Sequence, residues 1–71
     1  MSRGLRKRSF TIAGHRTSIA LEAEFWVVLD AEAREAGMSL AGFIAAVDAA
    51  RADRPLASAL RLRALAAAHN S

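Results

Sequence analysis

The sequence predicts a mainly helical domain with a short β-ribbon at its N-terminus, and three patterns support that fold class. Polar and apolar residues alternate from Arg8 to Leu21, which is typical of strands with one buried face. From about Ala23, apolar residues recur at the spacing of an amphipathic helix. In Gly37-Met38-Ser39, a glycine typical of the end of a helix is followed by a serine typical of an N-cap, so a second helix is predicted directly after the first.

Length and composition limit what the chain can be. With 71 residues it is one small domain, which buries too little surface alone to be more than marginally stable. There is no cysteine, and His15 and His69 are far apart in sequence, so we expect no metal and no cofactor. Association with a second copy is the remaining route to stability. The lack of cysteine fits a cytoplasmic protein, and no signal peptide or membrane span is predicted.

The N-terminal third predicts the ribbon. Residues 1–7 are expected to form a flexible basic arm and residues 8–71 a single domain, with its strand or strands over about 9–21. Ala13-Gly14 lies where a two-residue loop would place Ile12 opposite His15. This register puts Phe10, Ile12, Thr17, Ile19 and Leu21 on an apolar face, and Ser9, Thr11, Arg16, Ser18 and Ala20 on a polar one. Because alanine disfavours the positive φ of such a turn, a wider loop, a bulge at Gly14 and a single strand stay open alternatives.

Three helices are predicted over about 23–36, 40–52 and 56–68. Ser39 is the expected N-cap of the second, and Pro55 suits the start of the third. Two of the helices have clear apolar stripes, which contribute to a predicted core or dimer interface made of Phe10, Ile12, Ile19, Leu21, Phe25, Trp26, Leu29, Phe43, Ile44 and Val47. The third helix has leucines on two sides and no clean polar face. It is therefore expected either to wedge into a dimer or to offer a docking surface to another protein.

Positive charge is concentrated at the front of the chain. The net charge is only +3, yet five cations precede the first acid, Glu22. A basic β-segment on a small helical body predicts nucleic-acid binding, with Arg6, Lys7 and Arg8 contacting the DNA backbone. Contact of these cations with an anionic membrane is a weaker alternative. No acid is placed to orient His15 beside the neighbouring hydroxyls, so no catalytic residue and no enzyme is predicted.

Four segments carry a family resemblance: KRSFTIAGHRTSI from Lys7 to Ile19, then Leu21-Glu22, Glu24-Phe25-Trp26 and, later, Ser58-Ala59-Leu60-Arg61. Together they resemble the ribbon-helix-helix (MetJ/Arc-like) superfamily, and in particular a subfamily of short bacterial proteins. The resemblance covers roughly Lys7 to Leu65. It implies a transcriptional regulator that is an intertwined homodimer, in which one strand from each subunit pairs antiparallel to form the ribbon. The third helix would be an addition to that unit.

The resemblance also implies how DNA would be bound. Outward ribbon residues would enter the major groove, and the N-terminus of the second helix would hold a phosphate. Carried onto this chain, the base-contacting residues would be Arg16, Ser18 and Ala20, with Ser9 and Thr11 on the same predicted face. Ser39 and Leu40 would hold the phosphate. The alternative is an adaptor or antitoxin-like module of the same dimeric fold, which binds a protein partner through the C-terminal helix. Assembly beyond the dimer is open.

Overall fold

A computed structural model describes residues 4–69 of the chain. The elements are β1 (Arg6–Ile12), β2 (His15–Leu21), α1 (Ala23–Glu35), α2 (Leu40–Ala50) and α3 (Leu56–His69). A two-stranded ribbon followed by three helices confirms the predicted fold class. Arg6 and Lys7, expected in the arm, instead begin β1 opposite Leu21 and Ala20. The predictions for residues 1–3, in the arm, and for residues 70–71, at the end of the domain, lie outside the described residues.

β1 and β2 form an antiparallel hairpin in the predicted register, with Ile12 opposite His15 and Phe10 opposite Thr17. Its two-residue loop has positive φ at both positions, 53° at Ala13 and 81° at Gly14, as a type I′ turn requires. Ala13 therefore adopts the backbone that it was expected to disfavour. The twist of a type I′ turn matches the twist of the strands, and the apolar face of the hairpin gains burial in return.

The hairpin pairs β2 along its length with β1 of the same chain. The two-residue loop favours this pairing, because it brings the strands together while ordering very little chain. Pairing of β2 with a strand of a second subunit, which the resemblance implies, stays a prediction.

The core lies between the apolar face of the hairpin and the helices. Eight of the ten predicted core residues are buried, namely Ile12, Ile19, Leu21, Trp26, Leu29, Phe43, Ile44 and Val47. Phe10 and Phe25 are partly buried and pack against these. α3 adds Ala59, Leu60 and Ala64 to this core. α3 contacts both α1 and β2 and so covers part of their apolar faces.

Local signals explain the helix ends. Gly37 has a φ of 71°, and two bonds typical of a Schellman motif end α1, from Met38 N–H to the Ala33 carbonyl (2.9 Å) and from Gly37 N–H to the Arg34 carbonyl (3.0 Å). Ser39 caps α2 as predicted, since its Oγ accepts from the Gly42 N–H at 3.0 Å. These ends turn α2 back beneath β1.

α2 ends at Ala50, two residues before the predicted boundary. There Arg51 bonds to Asp48 Oδ1 (2.6 Å) and to the Arg54 carbonyl (2.7 Å), and Ala52 takes a positive φ of 57°. The Arg51 side chain thus organises the connection to α3.

Candidate nucleic-acid interface

Six side chains point away from the helices on what we call the outer face of the hairpin. They stand in three opposed pairs, Lys7 with Ala20, Ser9 with Ser18 and Thr11 with Arg16. Opposed residues share a face, and alternate pairs share it with one another. Five of the six are exposed, and Ala20 is half-buried. The outer face therefore presents two cations, three hydroxyls and a methyl group, with no carboxylate among them.

The middle of the outer face is the Ser9–Ser18 pair, whose Oγ atoms lie 3.0 Å apart. Each hydroxyl has one proton to donate and two lone pairs, so each keeps bonding capacity after this contact. Lys7 and Arg16 flank the pair on opposite strands and at opposite ends. The polar centre is thus bracketed by positive charge along a diagonal.

The structure places Lys7 beside the residues predicted to read bases, although the sequence analysis assigned it to the DNA backbone. The signal that the sequence offered for this placement is the position of Lys7 in the strand register. Lys7 stands opposite Ala20, one pair beyond Ser9 and Ser18. Extending the predicted strand two residues upstream would have put Lys7 on the polar face.

Arg8, grouped with Lys7 as a predicted backbone contact, faces the other way, toward α1. Its guanidinium carbon lies 5.0 Å from the ring centroid of Trp26 and 5.8 Å from that of Phe10, within cation–π range. Its Nη1 is 3.5 Å from Asp30 Oδ2. Arg6 shares this face by alternation and stays exposed, while its carbonyl accepts from Trp26 Nε1 at 2.8 Å. The structure therefore does not bring the three front cations together on one face.

Glu22, the acid that follows the ribbon, is paired with α3. Arg61 Nε lies 3.0 Å from Glu22 Oε1, and a terminal nitrogen of the same guanidinium lies 3.4 Å from Oε2. The hydrogen bond from Arg61 holds the pKa of this carboxyl below its ordinary value. Because the two charges offset each other, Glu22 repels an approaching phosphate less than a free carboxylate would.

The start of α2 lies on a different element from the outer face. Ser39 already uses its Oγ for the Gly42 N–H, which leaves the first N–H groups of the helix, including that of Leu40, for an outside acceptor. Such groups, at the positive end of the helix dipole, favour an anion. Ser39 is exposed and Leu40 half-buried, so this end can be reached from solvent.

Other kinds of site find no support in the described part of the chain. Between residues 4 and 69, no three His, Cys, Asp or Glu side chains come together in a group that could hold a metal ion. The helices found over the same residues are too short or too polar to span a bilayer.

The shape and chemistry of the outer face suit duplex DNA. The major groove, about 12 Å wide, admits a two-stranded ribbon. Arginine and lysine match the acceptor edge of guanine, serine and threonine can bond to several bases, and a methyl can contact that of thymine. Arg16 and Lys7 supply the cations that match guanine, and Ser18 supplies a hydroxyl. Ala20 supplies the methyl group.

Comparison with known proteins gives one positive result. Searches of curated proteins and of solved structures found no match. The family model described as "Ribbon-helix-helix domain" matches residues 5–68, from just before β1 almost to the end of α3. The match spans the hairpin, both capped helices and the added helix. The chain therefore belongs to the ribbon-helix-helix family, whose domains generally bind DNA as dimers.

Proposed function

We propose that this protein is a transcriptional regulator that binds duplex DNA by inserting its hairpin into the major groove. The observation that carries the proposal is the outer face, on which Lys7 and Arg16 flank the Ser9–Ser18 pair with no carboxylate between them. Membership of a DNA-binding family supports the same conclusion. The proposal assigns no catalytic role to this surface, and it implies action in the cytoplasm, at the chromosome.

Different residues would serve affinity and specificity. Arg16 is the principal base reader, because a guanidinium can make two parallel bonds to guanine. Ser9, Thr11, Ser18 and Ala20 would complete the reading surface. The exposed Arg6 and the start of α2 would contact phosphates, which fixes the position of the ribbon without reading sequence.

A salt titration of binding to duplex DNA tests the proposal. We expect affinity to fall steeply as salt rises, and Arg16→Ala to weaken binding by about 1–3 kcal/mol. Arg34→Ala is the matched control. It removes the same charge from the far end of α1, roughly 18 Å along the helix from Glu22, and should change binding little. Absence of binding by the wild-type chain even at low salt would refute the proposal.

We also propose that two copies associate through α3, in keeping with the dimers typical of the family. Leu62 and Leu65 are 46% and 55% exposed and lie one turn apart, so they share a helix face. Light scattering should give the mass of a dimer, and Leu62→Lys with Leu65→Lys should give a monomer. A protein partner at the same leucines is the second candidate function. A monomeric wild-type chain would favour this second function and would contradict the dimer that we propose.

A further inference from the structure

Lysine occurs only once in this chain. Of the ten cationic side chains nine are arginines, and the remaining one is Lys7. Arg8, Arg51 and Arg61 form ion pairs with carboxylates, a contact for which the planar guanidinium is well suited. Lysine differs in having a primary amine, which becomes a nucleophile once it has lost a proton. Lys7 therefore offers a chemistry that no other side chain of this protein has.

The amine of Lys7 is accessible to a reagent in solution. Lys7 is exposed on the outer face, and the residue opposite it is Ala20, whose small side chain leaves room beside the lysine. Among residues 4–69, no carboxylate forms an ion pair with Lys7. A second chain that paired along the free edge of β2 would leave this position open, because Lys7 lies on β1 and points away from the helices.

An open cleft beside Lys7 suits an anion. Its volume is about 300 Å³, and it is lined by Arg6, Lys7, Arg8, Ala23 and Trp26. Because three consecutive residues of β1 line it, the cleft lies at the edge of the strand, where the two faces of the hairpin meet. Of its three cations, only Arg8 forms an ion pair with a carboxylate of residues 4–69. Arginine and lysine both bind phosphate, so the cleft favours a phosphate-bearing molecule next to the amine.

We propose that Lys7 is an acylation site, and that its acylation releases the protein from DNA. The donor is an activated acyl group on a phosphate-bearing carrier, either an acyl phosphate or the thioester of a phosphorylated thiol. The ammonium loses a proton, and Nζ attacks the acyl carbonyl carbon. An amide bond forms, and the bond from that carbon to the phosphate oxygen or to the sulfur breaks, with its electron pair kept by the leaving group. Nζ loses a second proton. One of the two protons ends on the leaving group and the other in solvent, so the side chain becomes neutral.

Acylation would act on DNA binding through charge. The outer face has two cations, Lys7 and Arg16, so neutralising one of them halves its positive charge. The amide also keeps a single N–H donor where the ammonium had three. We expect acylation to weaken binding to a duplex by about tenfold and to reduce the slope of its salt dependence by about 1. This consequence rests on the proposed function, whereas the acylation itself does not.

Incubation with acetyl phosphate and, separately, with acetyl-coenzyme A tests the site without DNA. Arg16→Lys supplies the matched control, because it adds an exposed lysine on the same face but outside the cleft. Peptide mass spectrometry follows both lysines in one molecule and separates them from the α-amino group of the chain. We expect Lys7 to be acetylated several times faster than the lysine introduced at position 16. A preference with one donor alone would identify the carrier, and equal rates with both donors would overturn the inference.

A donor without phosphate separates the effect of the cleft from the reactivity of the amine. With p-nitrophenyl acetate, which is neutral, we expect the two lysines to react at similar rates. A preference for Lys7 as large as that with the phosphate-bearing donors would overturn the role assigned to the cleft.

Binding to a duplex before and after treatment with the donor tests the release. We expect the treated wild-type chain to bind about tenfold more weakly than the untreated chain. Lys7→Arg keeps the charge but has no amine at this position, so its affinity should not respond to the donor, which also controls for acetylation of the α-amino group. An equal response of the two chains would overturn release through Lys7. Failure of the untreated wild-type chain to bind any duplex would overturn the proposed function and the release with it, whereas the acetylation rates would still decide the site.

Discussion

At the scale of single residues, the turn of the hairpin holds one of the two alanines that have a positive φ among the described residues. Ala13 has a φ of 53°, a left-handed conformation that costs an L-residue with a β-carbon about 1–2 kcal/mol. Asparagine tolerates this conformation and is preferred with a following glycine in type I′ turns. We therefore expect Ala13→Asn to raise the free energy of unfolding by about 1 kcal/mol, measured by urea denaturation.

The neighbouring glycine is the control for that substitution. Gly14 has a φ of 81°, and a β-carbon built there meets nothing within 4 Å. Gly14→Ala should therefore destabilise the fold by about 1 kcal/mol through backbone strain alone. If Ala13→Asn and Gly14→Ala shifted stability in the same direction, the type I′ assignment would be wrong.

These residues also show how far sequence reasoning reaches. The position of Gly14 and the alternation around it were enough to predict that Ile12 faces His15, which the structure confirms. The sequence did not decide whether Ala13 would accept positive φ. That choice depends on burial of Phe10 and Ile12 beneath the ribbon, and this gain in packing is not visible in the turn residues themselves.

At the scale of elements, the Glu22–Arg61 pair joins the end of β2 to α3. Its hydrogen bond lowers the pKa of Glu22 in the folded chain, so the pair stabilises the fold above the ordinary pKa of glutamate. That contribution is lost as the pH falls through the folded pKa. We expect Arg61→Gln to lower the thermal midpoint at neutral pH and the deficit to shrink as the pH falls below the ordinary pKa of glutamate.

Arg63 on the same helix provides the comparison. Its guanidinium carbon lies 5.1 Å from the ring centroid of Phe43, and no carboxylate bridges to it among the ion pairs of residues 4–69. The deficit of Arg63→Gln should therefore change little over the same pH range. An Arg61→Gln deficit that stays constant on acidification would show that the ionised carboxylate is not what the arginine stabilises.

Element ends and element contacts differ in how well a sequence predicts them. Gly37 and Ser39 act through neighbouring backbone groups, so their roles as helix stop and N-cap could be predicted from the local sequence alone. The contact of Glu22 with Arg61 joins residues 39 positions apart and follows only once α3 is known to lie on β2. No local pattern contains that information.

At the scale of the whole molecule, one chain builds a ribbon and covers it. Two helices under a single strand would leave apolar faces open, but here β1 supplies the second strand and α3 the third helix. The same apolar alternation in β1 and β2 is compatible with pairing within or between chains, which is why the sequence could not decide between them. All five residues predicted on the polar face share the outer face. Arg8, which was predicted to contact the DNA backbone, turns instead to α1, where Trp26 and Asp30 lie beneath it.

A fold completed in this way makes α3 part of the cooperative unit. Leu60 is fully buried, so Leu60→Ala should cost roughly 2–5 kcal/mol of unfolding free energy, a large share of what a small domain has. Leu5→Ala deletes the same atoms at a site that is 53% exposed and should cost no more than about 0.5 kcal/mol. Urea denaturation at one protein concentration measures both changes in unfolding free energy. Equal costs for the two variants would mean that α3 is an appendage and that the hairpin is covered by something other than this helix.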